Sequence, residues 1–178
     1  MRVQMEKRIM LMGINGNLQK KIKENIKDKV IVFIISLLAY PFSAIIGFCN
    51  NGSWYNHFVY MFGHANIFHL IINASVLFSL QNKIRIFPSY IISVLASFLP
   101  MYVQDPTVGL SAFLFSSMGQ MWGNTGRWKE AAKKAMPFII FTMLLNDVNG
   151  LLHFWCFWLG YSIGFLRKMF HRFSLFFS

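Results

Sequence analysis

Acidic residues are scarce in this chain: six Asp and Glu stand among 178 residues, against 17 Lys and Arg. Charged residues make up only 13% of the whole, where a soluble domain carries about 25%. With 20 phenylalanines and a hydrophobic fraction of 56%, too little polar surface remains to cover a water-soluble globule. The mean hydropathy of +0.48 agrees. An integral membrane protein is the class these numbers leave. Cysteine is also scarce. Cys49 and Cys156 lie in separate apolar contexts, which excludes a disulfide scaffold and a cysteine metal site. The net charge of +11 would suggest nucleic acid as a partner of a soluble protein. Here the basic residues fall in four clusters, Arg2 to Lys29, Lys83 with Arg85, Arg127 to Lys134, and Arg167 to Arg172. No Lys or Arg interrupts the long apolar runs between them. The excess therefore reads as a topology signal and as contact with anionic lipid, and nucleic acid drops out.

What is present is a series of apolar runs. Residues 1–29 form a basic N-terminal segment, in which Ile22 and Ile26 among lysines suggest a short interfacial helix. No cleavage-site pattern follows the next run, so Val30–Cys49 reads as a retained first span, with Pro41 inside it. The loop NNGSWYNHF brings Trp54 and Tyr55 as interface aromatics. The second span runs from about Tyr60 to Leu80, the third over Phe87–Tyr102 with Pro88 and Pro100 near its ends, and the fourth over Thr107–Gly123. The fifth, Ala135–Leu145, is short, and Ala131–Lys134 must extend its helix with lysines snorkelling. Leu151–Leu166 is the sixth, and 167–178 a short basic tail. The expectation is an all-α bundle of six spans over 30–166.

Threading six spans puts all 17 Lys and Arg residues on one side, which the positive-inside rule makes cytoplasmic, together with both termini. The same threading sets depth, at about 1.5 Å per residue. Ser111 and His153 come early in helices that descend from the outer face. His64 and His69 fall in the outer half of the second span, with Asn73 one turn deeper than His69.

A serine hydroxyl is a weak nucleophile at neutral pH, and acyl transfer needs a neighbouring base. His153 matches Ser111 in depth and can serve as that base even without a carboxylate to orient it. Asp147, in the turn before His153, is not read as a third member. The backbone N–H of Ser111 near a helix start, the Asn73 amide and His69 at i−4 are candidate donors to an oxyanion. His64 lies roughly 140° round the helix wheel from His69 and reads as a supporting residue. Taken singly, a membrane-helix serine is ordinarily a packing residue bonded to its own i−4 carbonyl. Gly160 and Gly164, four apart, are most simply a close-packing face. No Asp, Glu or Cys joins the histidines at a usual ligand spacing, so neither a metal nor any other cofactor is expected.

Three blocks in order resemble the rhomboid family of intramembrane serine proteases. They are HANIFHLIIN at His64–Asn73, GLSA at Gly109–Ala112, and HFWCFWLG at His153–Gly160, followed by Gly164. The resemblance implies Ser111 as nucleophile and His153 as base. It further implies Asn73 and His69 as oxyanion donors, His64 and Gly109 in support, and Phe115 as an aromatic packed against the base. This sequence departs from the family pattern at Ala112 and Cys156, where glycine is usual, and in a first outer loop without the family's tryptophan-arginine pair.

The resemblance implies a compact bundle with its site open to the non-cytoplasmic side, cutting single-pass transmembrane substrates, and the small size and lack of a targeting segment fit a prokaryotic cell (inner) membrane. Oligomeric state stays open. Two other readings of the same residues are a non-catalytic relative that binds transmembrane segments, and a small transporter using His64, His69 and His153 as a proton relay. Against the transporter stand the lack of buried acids and of a detectable internal repeat.

Overall fold

The structure, a computed structural model, describes residues 26–49, 51–80, 85–99, 105–145 and 148–176. It is all-α apart from one antiparallel bridge between Phe48 and Thr107. Among the described residues seven helices follow one another: α1 (Ile26–Ile46), the short α2 (Asn56–Val59), α3 (Ile67–Ser79), α4 (Ile86–Ser97), α5 (Ser111–Thr125), α6 (Trp128–Met143) and α7 (Gly150–Phe176). The basic segment before Ile26, and Lys83, Pro100, Gln104 and Asp147, lie outside the described residues.

Several boundaries differ from the sequence expectation, each for a local reason. Helix α1 already includes Ile26, four residues ahead of the expected Val30, and Pro41 sits in a tight 3-10 turn, Tyr40–Phe42, that it enters with its fixed φ. The second span is not one helix from Tyr60. A 3-10 turn, Tyr60–Phe62, ends at Gly63 in extended backbone, and α3 begins only at Ile67. Asn66 caps it, its side-chain oxygen accepting from the His69 N–H at 2.9 Å. The two parts are bent by 82°. His64 therefore precedes the helix that carries His69, and the wheel angle between them does not apply. Helix α5 starts at Ser111, not Thr107, because Thr107 pairs with Phe48, their N–H groups and carbonyls joined at 3.2 and 2.9 Å. Helix α6 reaches back to Trp128 and keeps Pro137 in its interior. Helix α4, the expected third span, ends at Ser97, short of Tyr102. Helix α7 continues past Leu166 to Phe176 as one element of 27 residues.

Helix α5 is the axis of the molecule. Every residue from Ala112 to Ser117 is buried, as are Gly119, Gln120 and Gly123. Two of its polar side chains find partners inside the bundle: Ser89 and Ser117 share a hydroxyl hydrogen bond at 2.8 Å, and Gln120 Nε2 donates to Ser89 Oγ at 2.9 Å. We expect Ser89→Ala to cost about 1 kcal/mol, the scale of one buried polar contact between helices in lipid, read as a lowered unfolding temperature in detergent.

The most extensive helix pair is α5 with α7, and glycines explain it. A side chain at Gly119 would strike the carbonyl of Phe157, and one at Gly123 the carbonyl of Tyr161. From the other side, a side chain at Gly160 would strike the Ser116 carbonyl and one at Gly164 the Gln120 carbonyl. Two interlocked pairs of glycines four residues apart thus let the two backbones touch.

The outside of the bundle is apolar. Leu38 on α1, Phe68 on α3 and Phe138 on α6 are 68%, 74% and 66% exposed, amid many other exposed Ile, Leu and Phe. A soluble monomer does not display apolar surface on this scale. Among the described residues, Ile26–Ile46 is the one continuous helix long and apolar enough to cross a membrane. The bent pair Asn56–Phe62 with Ile67–Ser79 makes a second if counted together. The molecule is a membrane-associated helical protein.

Candidate active site

The approach to Ser111 is set by what precedes α5. The Phe48–Thr107 bridge fixes the incoming chain, and the Gly109 N–H donates to the Tyr60 carbonyl at 3.2 Å. Gly109 then turns with φ of +134°, a conformation that suits glycine alone. A Cβ there would also lie 2.6 Å from His69 Cε1. Glycine is required twice over. The turn leaves Ser111 as the first residue of α5, half-buried, where first-turn N–H groups have no carbonyl one turn back and the helix dipole presents its positive end.

His153 stands in the first turn of α7. Asn149 caps that turn, its side-chain oxygen accepting from the Leu152 N–H at 3.0 Å, while its carbonyl accepts from the His153 N–H at 3.3 Å. The imidazole is 4% exposed and lies between two hydroxyl groups. Its Nε2 is 2.8 Å from Ser111 Oγ. Its Nδ1 is 3.1 Å from Thr142 Oγ1, near the end of α6. Phe115, one turn below Ser111, stacks on the ring with centroids 4.5 Å apart and planes 19° from parallel. The glycine-packed α5–α7 pair holds both residues in this register.

The remaining expected residues lie on or beside α3, α5 and α7. His69 covers Gly109 and is within electrostatic reach of His153. Asn73, one turn further along α3, is buried, and its side-chain nitrogen has no hydrogen-bond partner among the described residues. His64 packs edge-on against His69, centroids 5.3 Å apart, and its backbone N–H is tied to Ser43 Oγ at 2.8 Å. It is buried beside the turn into α3 and not on that helix. Ala112 and Cys156 are both fully buried. Gly160 and Gly164 lie on the α5 contact.

Two sets of residues went unread in the sequence. Gly119 and Gly123 had a visible signal, their spacing of four matching that of Gly160 and Gly164. Thr142 had none, because a threonine eleven residues before a histidine becomes its neighbour only through the turn between α6 and α7. That turn closes tightly: a side chain at Gly150 would overlap the backbone of Met143.

Chemically, the hydroxyl of Ser111 and the Nε2 of His153 are at the separation needed for a proton to pass from one to the other. His69 on α3 lies against Gly109, two residues before Ser111. This is a constellation that can carry out acyl transfer.

Residues 51–170, more than half of the chain and the whole of α2 through α6 with most of α7, match the family model of the rhomboid domain. No curated protein and no solved structure matches the chain. The matched region contains Ser111, His153 and the residues gathered round them. The chain belongs to the rhomboid family, a group associated with intramembrane proteolysis.

Proposed function

We propose that this protein is an intramembrane serine protease that hydrolyses a peptide bond in or near the transmembrane segment of a single-pass membrane protein. The observation that carries the reading is the 2.8 Å contact between Ser111 Oγ and His153 Nε2. In this mechanism Ser111 attacks the scissile carbonyl and His153 takes the hydroxyl proton. The same proton goes to the leaving amine, an acyl enzyme remains on Ser111, and a water activated by His153 releases it. The developing oxyanion is met by the Ser111 N–H, the Asn73 amide and His69. Phe115 and Gly109 hold the imidazole and the serine in place, with His64 in support of His69. No cofactor enters these steps.

Charge and contacts at the two ends of the bundle support one orientation. At one end Lys29 donates to the carbonyls of Phe78 and Leu80, and Lys168 to that of Thr125. At the other end Phe48 pairs with Thr107, and the Asn149 amide approaches Thr107 Oγ1 at 3.5 Å. The basic ends therefore gather together, opposite the site. This supports six spans within residues 30–166, with the basic segment 1–29 and the tail 167–178 cytoplasmic. The site then faces the outer side of a prokaryotic cell membrane. Water must reach Ser111 while lipid is kept from it, so the polar cluster forms a wet indentation. A substrate helix has to unwind there, which favours Gly, Pro or small polar residues near the cut.

The test is cleavage in proteoliposomes of a single-pass substrate whose outer boundary carries such residues. Wild type releases a fragment cut within or next to the span, and Ser111→Ala releases none. Equal release by the two would contradict the assignment.

A further inference from the structure

The geometry points to Thr142 as a positioning residue that fixes the tautomer of His153, in the place where a soluble serine hydrolase uses a carboxylate. This rests on the protease reading above.

Thr142 Oγ1 lies 2.7 Å from the Ile139 carbonyl oxygen and 3.1 Å from His153 Nδ1. A carbonyl oxygen only accepts, so the single hydroxyl hydrogen of Thr142 is committed to Ile139. Its oxygen can then only accept from the ring, and Nδ1 must carry the hydrogen. A neutral imidazole has one N–H, so Nε2 keeps its lone pair. That lone pair faces Ser111 Oγ at 2.8 Å, and the serine hydroxyl donates to it. The chain Ser111 to His153 to Thr142 to Ile139 runs in one direction and delivers the tautomer that a general base needs.

The surroundings make the bond fixed and not incidental. His153 is 4% exposed, so water does not compete for Nδ1. Thr142 bonds one turn back along its own helix, which locks its side-chain rotamer. The absence of a side chain at Gly150 lets α7 start against the backbone of Met143, next to Thr142. A threonine carries no charge. It orients the ring without the electrostatic support that a carboxylate gives an imidazolium, and it avoids placing an anion in the apolar interior.

The test compares wild type, Thr142→Val and Thr142→Ser, each purified in detergent and checked for thermal unfolding. Valine keeps the shape and removes the oxygen; serine keeps the oxygen. We expect the rate of labelling by a fluorophosphonate probe to fall about 10- to 100-fold in Thr142→Val, the consequence of leaving a buried donor unpaired. Thr142→Ser recovers most of it. In parallel, nitrogen-15 NMR of histidine-labelled protein, with His153→Gln to assign the signal, shows hydrogen on Nδ1 in wild type and a mixture of tautomers in Thr142→Val. Unchanged labelling and an unchanged tautomer in folded Thr142→Val would overturn the role of Thr142 and leave the Ser111–His153 pair standing. Unlabelled wild type whose His153 still carries hydrogen on Nδ1 would remove the protease reading while retaining the Thr142 bond.

Discussion

His153→Ala and Ser111→Ala each lower substrate hydrolysis on the order of 10⁴- to 10⁶-fold, the range seen when a serine hydrolase loses either member of the pair. The two variants fall to the same floor, because neither residue works without the other. A serine without Nε2 at 2.8 Å holds its proton, and an imidazole without Ser111 Oγ has nothing to deprotonate. Stability behaves differently. Ser111 is half-buried at a helix start and its oxygen makes a single hydrogen bond to His153, so Ser111→Ala changes stability by about 1 kcal/mol at most. His153 is buried under Phe115, and removing it leaves a cavity, so His153→Ala unfolds at a lower temperature than Ser111→Ala. Activity measured beside thermal unfolding separates the two effects. Hydrolysis retained in either variant would remove the pair from the mechanism.

Gly160→Val is expected to destabilise the bundle by about 3 kcal/mol, the upper end for overpacking, or roughly 10 °C in unfolding temperature for a chain of this size. The reason is that its Cβ would land on the Ser116 carbonyl, which is backbone and cannot rotate away. The α5 and α7 backbones must then separate along the face that holds Ser111 against His153. Activity is lost with the packing, because a shift of about 1 Å in a reacting pair costs on the order of 100-fold. Ser162→Ala, on the exposed side of the same helix, serves as the control and changes little. Equal unfolding temperatures for Gly160→Val and the control would show that the close approach of α5 and α7 is not needed.

The legibility of the sequence followed the range of the forces involved. Membrane character was plain, because apolar composition is summed over the whole chain and lipid rewards it everywhere. Ser111 and His153 could be matched in depth, because helical rise is constant and turns are short. The break before α3 was not read. Gly63 and Asn66 together end one helical turn and cap the next, yet the apolar run passes through both without interruption. The start of α5 was misplaced by four residues for a similar reason. Thr107 is apolar enough for a span, and only its pairing with Phe48, 59 residues away in sequence (107 − 48), draws it into extended backbone. Thr142 shows the limit most clearly. Nothing local distinguishes it from any helical threonine, and its meaning lies in the tertiary fold that sets its oxygen beside Nδ1 of His153.

The central claim is that Ser111 is a nucleophile activated by His153. Its most direct test is reaction of folded wild type, in detergent and again in lipid, with a fluorophosphonate probe, followed by peptide mapping of the adduct. The account predicts one adduct, on Ser111, absent from both Ser111→Ala and His153→Ala. Folded wild type that takes up no probe in lipid, or an adduct on Ser111 that survives in His153→Ala, would contradict it.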